Sequence, residues 1–209
     1  VFINGQLHKE LSKISIENVE FLSFNFALND AKHKEVFDNY FNTIAAKDLA
    51  FTNLNEAFCK HGFFLKVPKN MVIEKPIHVF YISQNQEENT FYNTRNLLIA
   101  EAGSKVEIIE SHHNFDDTFV FTNSVTEIFT YQNAKADWHK VQNDSDTSYL
   151  MDHTFAKQER DSLTTVNTFT FGGKLVRNNL RFIHTGEDIN SFMNAITLIC
   201  GDQTLDAFT

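Results

Sequence analysis

From Phe63 to the end of the chain, apolar and polar residues alternate in short runs broken by polar corners. Phe63–Val67 stops at Pro68, Ile77–Ile82 runs into the polar 84–89 stretch, and Leu97–Ala100 turns at Ala102-Gly103 into Val106–Ile109. A period of two predicts strands with one buried face. Further corners are expected near Asp116, Asn133, Ser145, Arg160, Gly172, Gly186 and Gly201. Several repeat one local pattern: Gly103-Ser104-Lys105, Asn133-Ala134-Lys135, Arg160-Asp161-Ser162 and Gly186-Glu187-Asp188 each precede an alternating run. A two-strand unit spans roughly 26–30 residues, the range of repeat architectures. One such unit cannot close a core, so units must stack. The pattern fits an all-β dominated chain whose 63–209 segment is a single-stranded parallel β-helix. An antiparallel sandwich is the alternative. Asn-Gly and Asp-Gly pairs are absent after residue 63, which removes the strongest short hairpin signal.

The first 62 residues read differently, as a small hairpin and helical region. Val1–Leu7 predicts a hairpin turning at Asn4-Gly5. After Asn29-Asp30, residues Val36, Phe37, Tyr40, Phe41 and Ile44 recur at helical spacing. A second helix is expected from Asn53, with Glu56 completing a capping-box spacing. His61-Gly62 is the expected stop.

Composition narrows the classes. There are 22 Phe but only 7 Gly and 2 Pro, which fits an aromatic-rich β core. The formal net charge of -9 repels phosphate backbones and anionic membrane, so neither nucleic acid nor membrane is an expected partner. No signal peptide pattern opens the chain, and no apolar run reaches membrane-helix length. Cys59 and Cys200, far apart, make no disulfide framework, which points to a reducing, cytoplasmic setting. The chain starts at Val1 and stops at Thr209 within a strand-like run, the pattern of a piece of a longer protein.

Candidate chemistry is sparse. Gly172-Gly173-Lys174 leads to Leu175 rather than Ser or Thr, so it is no phosphate loop. Asp144-x-Asp146 begins like a calcium loop, but Tyr149 and Phe155 stand where Gly and Glu are needed, leaving a solvated corner. His112-His113 reads as a surface loop rather than a metal site. His139, His153 and His184 read as paired core or surface histidines. Cys59, on a short apolar helix, fits a buried inert thiol, and Cys200 a structural thiol at a strand end. Arg177, between apolar residues, fits a corner or outer-face pair. No catalytic, cofactor-binding or metal residue is assigned, and the chain is not expected to be an enzyme.

Several blocks, taken together, resemble one family. Gly172–Leu180 is similar to the glycine-glycine-x-leucine-x-arginine-asparagine-x-leucine signature of SufD, in the SufB/SufD family of iron–sulfur cluster assembly scaffold subunits. Phe64–Asn70 with Glu74–His78 resembles the start of the family's β-helix. Asn55–Phe58 with His61–Phe64 resembles the helix before it, and Arg95–Ile99 and Thr122–Glu127 match further blocks. The resemblance implies a right-handed parallel β-helix and a non-catalytic scaffold role. It implies a SufB-like sibling subunit and a SufC-like ATPase as partners of the full-length protein. The iron–sulfur cluster would belong to the full complex. The family's cluster-proximal Cys and His residues and its SufC-binding helices lie beyond Thr209, so no ligand is expected here. Self-association through an exposed last rung is a further expectation. The rival functions are a carbohydrate-active β-helix enzyme and a structural oligomerisation solenoid.

Overall fold

The structure is a computed structural model that describes residues 1–13, 18–84, 89–115 and 118–209. The corner expected near Asp116 and most of the 84–89 stretch lie outside the described residues. The chain begins with a hairpin, β1 (Phe2–Ile3) and β2 (Gln6–Leu7), then β3 (Glu20–Ser23) and α1 (Phe24–Asn29). A 3-10 turn at Ala31–His33 leads into α2 (Lys34–Tyr40), and α3 (Ala50–Phe58) follows. Eleven strands complete it: β4 (Phe63–Val67), β5 (Ile77–Ser83), β6 (Thr90–Ala100), β7 (Lys105–Asn114), β8 (Val120–Thr130), β9 (Lys135–Gln142), β10 (Ser148–Gln158), β11 (Leu163–Thr170), β12 (Leu175–His184), β13 (Asn190–Thr197) and β14 (Thr204–Phe208).

From β4 on, successive strands fall alternately into two sheets, and every pairing among them is parallel. Sheet A runs β13-β11-β9-β7-β5-β1-β2 and sheet B runs β14-β12-β10-β8-β6-β4-β3. The result is a parallel β-solenoid of about four turns. Antiparallel pairing is confined to the N-terminal end, at β1–β2 and β3–β4.

The repeated corner has a backbone cause. Asn70, Gly103, Asn133, Asp161 and Asp188 all have φ between 52° and 72°. Only Gly, Asn and Asp visit this left-handed region at low cost. Each such residue donates its N–H to a carbonyl of the next rung where that bond is formed: Asn70 to Ala102, Gly103 to Gln132, Asn133 to Arg160 and Asp161 to Glu187, at 2.9–3.3 Å. One left-handed residue per turn therefore both bends the strand and holds the rungs in register. The Gly172-Gly173 corner is steric instead. A Cβ on Gly172 would lie 2.3 Å from the Asp144 carbonyl oxygen, and Gly173 has φ +89°. Gly173 N–H donates to that same carbonyl at 3.0 Å.

Three local expectations change. The helix over Val36–Ile44 ends at Tyr40, because Glu127 captures the N–H groups of Asn42, Ile44 and Ala45 and draws the chain off the helix axis. The next helix begins at Ala50, with Leu49 as an N-cap that gives no side-chain bond; Asn53 sits inside it and donates to the Lys47 carbonyl, so the capping box does not form. That helix ends at Phe58, before His61-Gly62. Gly62 instead has φ +104°, and a Cβ there would lie 2.1 Å from the Arg95 carbonyl oxygen.

The tube is filled by Phe63, Leu65, Leu98, Val106, Ile108, Ile128, Trp138, Ala156 and Val166, with Phe2 and Tyr81 closing the N-terminal end. A second cluster lies outside the tube, where Phe24, Phe37 and Phe129 pack between the helices and sheet B. Of the Phe and Trp residues on later strands, Trp138 fills the tube and Phe182 packs against its core. Phe129 faces outward under Tyr40, and Phe192 is 48% exposed.

Candidate functional site

Strand alternation assigns every in-facing position once Trp138 is inside. On β9 that phase is Ala136, Trp138, Lys140 and Gln142; on β7 it is Val106, Ile108, Glu110, His112 and Asn114. On β10 it includes Asp152 and Thr154. Lys140, His112, two carboxylates and several amides and hydroxyls thus face into the tube, beside its apolar half.

They are paired. Trp138 Nε1 donates to Glu110 Oε2 at 2.8 Å, and His112 Nε2 lies 2.7 Å from Glu110 Oε1. Lys140 Nζ donates to both Asp152 oxygens and to Thr154 Oγ1, each at 2.7 Å. Nearer the N-terminal end, Tyr81 donates to Asn96 at 2.7 Å. Nearer the C-terminal end, Gln142 bonds Asn178 and Thr170 at 3.0 and 2.8 Å. A polar stripe therefore runs lengthwise through the tube, bonded both within and between rungs. Such a buried charge pair costs desolvation and persists only with its hydrogen bonds complete.

The electrostatics follow. Burial alone would raise the Glu110 pKa, but Lys140, His112 and Trp138 together outweigh it and bring it to about 2. Burial opposes the charge on His112, yet the bond and charge of Glu110 prevail and raise its pKa. Burial pushes the Asp144 carboxyl up. Asp144, His112, Tyr81, Thr94 and Ser148 line a cavity of about 20 Å³, room for one water.

The residues that the sequence singled out scatter among several settings. His112-His113 is no surface loop: both lie on β7, with His112 buried in the tube, because the strand runs on to Asn114. Asp144 faces this cavity, so the corner is not wholly solvated, while Asp146 accepts from Gln203 at 2.6 Å. His139 faces outward to Glu107 and Asn167 at 3.3 and 2.9 Å. His153 bonds Asn179 at 3.0 Å, and His184 bonds Ser191 at 2.8 Å. Arg177 pairs on the outer face with Asp206 at 3.3 Å. Cys59, at the end of α3, is half-buried against the outer aromatic cluster, and burial raises its pKa. Cys200 is exposed. Among the described residues, no three or more His, Cys, Asp or Glu are grouped to hold a metal ion.

Glu110, Lys140 and Asp152 belong to no spaced motif. The signal for Glu110 and Lys140 was phase: Val106-x-Ile108-x-Glu110 and Ala136-x-Trp138-x-Lys140 each carry an apolar alternation onto a charge.

A parallel β-solenoid with a helical N-terminal cover and a polar internal stripe defines the class of protein. The chain matches the model described as "SUF system FeS cluster assembly, SufBD core domain" over residues 81–209. It matches "SufBD protein N-terminal region" over residues 1–79. It belongs to the SufBD family of iron–sulfur cluster assembly proteins. It is similar to an iron–sulfur cluster assembly SufBD family protein of Synechocystis sp., 26% identical over 99% of this chain and 47% of the relative. It is similar to the chloroplastic protein ABCI7 of Arabidopsis thaliana, 29% identical over 75% of this chain and 34% of the relative. A SufBD family protein of Staphylococcus saprophyticus is 26% identical over 68% of this chain and 30% of the relative. The chain spans about half or less of the length of these relatives.

Proposed function

We propose that this chain is the core portion of a SufD-like, non-catalytic scaffold subunit for iron–sulfur cluster assembly. In the full-length protein it works with a SufB-like sibling and a SufC-like ATPase, in a cytoplasmic, reducing setting. The observation that carries this reading is the pair of consecutive family matches spanning nearly the whole chain. The Gly172–Leu180 block supports the SufD-like branch. Among the described residues, no helix is long and apolar enough to cross a membrane. The titratable groups of the tube bond one another rather than converging on an open cleft, which supports a scaffold over a hydrolase. The iron–sulfur cluster is the cargo of the complex, and this segment supplies no ligand to it.

Co-expression of the full-length protein with its SufB-like and SufC-like subunits tests the reading. A fixed-ratio complex that assembles clusters is expected. The 209-residue chain, reconstituted anaerobically with iron and sulfide, should take up no stoichiometric cluster. Cluster uptake lost in Cys59→Ser or Cys200→Ser would refute it.

A further inference from the structure

The C-terminal end of α2 and the far ends of β8 and β10 enclose a groove of about 370 Å³, within the size range of small-molecule sites. Its described lining comes from α2, the loop after it, and the two strands with their corners, and none of it lies on β12 or later. The lining strands have neighbours on both sides. Phe129 stands in register between Ile99 and Lys157, and Lys157 between Phe129 and Ile183. The groove is therefore shaped by stacked rungs and not by the open last one.

The apolar part is Phe129, with Tyr40 edge-on to it at 4.9 Å, and Ile44. The hydroxyls of Tyr40 and Tyr131 share a hydrogen bond. Burial first, then the bond to Tyr40 and the nearby Glu159 and Glu101 carboxylates, raise the Tyr131 pKa, so this hydroxyl keeps its proton. The charged part is Lys157 and Glu159. The β10 ladder runs one residue past Gln158, because the Glu159 N–H donates to the Thr130 carbonyl at 2.9 Å. Lys157 and Glu159 are thus two residues apart along an extended backbone, about 6.6 Å. Neither is in an ion pair among the described residues. Glu159 Oε2 accepts from the Gln132 N–H at 3.3 Å, and Oε1 has no bond among the described residues. Glu101, the next carboxylate along this corner, is already held by Lys66 at 3.0 Å and by the Lys69 N–H at 3.0 Å.

We propose that this groove binds a free α-amino acid as its zwitterion, with Lys157 taking the carboxylate, Glu159 the ammonium, and Phe129, Tyr40 and Ile44 the side chain. An α-amino acid carries both charges on one carbon, so it can bridge a lysine and a carboxylate that stand side by side without meeting. Charge-assisted hydrogen bonds of this kind are short and directional. Ring edges and faces around the apolar part favour an aromatic side chain. A ligand of one charge only would leave either Lys157 or Glu159 opposed or unmatched. Binding here is independent of the scaffold role, because it needs only this groove.

The test is a ligand-observed NMR titration of L-phenylalanine into the full-length protein at physiological salt. Saturable binding in the millimolar range or tighter is expected. N-acetyl-L-phenylalanine lacks the ammonium and L-phenylalaninamide lacks the carboxylate, and each should bind at least about tenfold more weakly. K157M should weaken L-phenylalanine by a similar factor and abolish its advantage over the amide. E159Q keeps an acceptor for the Gln132 N–H and should abolish the advantage over the N-acetyl compound. Both variants should melt like wild type, since both side chains are only half-buried. No saturable binding of L-phenylalanine overturns the proposal. So does equal binding of the two blocked compounds, or binding by K157M and E159Q with the wild-type preferences intact.

Discussion

Trp138 and Glu110 show how one residue's position on a strand sets its role. Trp138 is buried in the tube and bonded to Glu110, whereas Phe192, also on an alternating run, is 48% exposed. Trp138→Ala should cost about 3–5 kcal/mol in urea unfolding. Phe192→Ala should stay within about 0.5 kcal/mol, and equal losses would break the assignment of faces. The tube also makes stability depend on pH in two directions. Glu110 is depressed to about 2, so its contribution is present above the unfolded Glu value and fades as pH falls through the folded one. His112 is raised, so its contribution is full below the unfolded His value and fades as pH rises through the folded one. Burial lowers the pKa of His61 and His153, which acts oppositely near neutrality. The informative measurement is therefore the stability difference between wild type and His112→Asn across pH. It should be largest at mildly acidic pH and shrink toward alkaline pH; a constant difference would show that the His112 charge does not matter.

At the scale of elements, one ion pair joins the helical region to the solenoid. Arg95 on β6 and Glu127 on β8 are fully buried and bonded to each other. Glu127 also accepts three loop N–H groups, and Arg95 reaches Asn42 and Asn55 and lies 4.8 Å from the Phe41 ring centre. Glu127→Ala should cost about 3–5 kcal/mol, because it strands a buried cation. The double change R95M/E127L should recover only the part due to the stranded cation, because the N–H groups of Asn42, Ile44 and Ala45 still lose their acceptor, and calorimetry of both variants would decide it. Corners give a second prediction. Gly172→Ala drives a Cβ against the Asp144 backbone, so the expected loss, about 1–3 kcal/mol, cannot be relieved by a rotamer change. A variant that melts like wild type would mean that this corner is looser than the geometry implies.

For the whole molecule, the stacking of rungs sets the distribution of stability. β8 and β10 have neighbours on both sides, and most of their residues are buried. β13, β14 and the connection between them are largely exposed, with Phe192, Met193, Ile196, Leu198, Ile199 and Phe208 in contact with solvent. In a solenoid, stability is close to a sum over neighbouring rungs, so the 209-residue chain should open from that end. Hydrogen exchange should proceed first at β13–β14 and last at β8–β10. Uniform exchange along the tube would contradict a nearest-neighbour architecture. The same open edge is where self-association of this chain should begin.

The alternation, the turn positions and the left-handed corner residues were readable one strand at a time, because period two and the tolerance of Gly, Asn and Asp are local properties. They determined the strands, the corners at Asn133, Arg160 and Gly186, and the stacking of repeats. Helix limits were not local: Glu127, far along the chain, ends the helix at Tyr40 by taking its loop N–H groups. The inner network was also a tertiary decision. Glu110 and Lys140 look like ordinary charges on alternating strands until the tube fixes which phase points inward. Their partners Trp138, His112 and Asp152 then come from the same or other strands, brought within bonding distance by the stacking of rungs. Linear spacing cannot encode that meeting, because it depends on the closure of two sheets around one core.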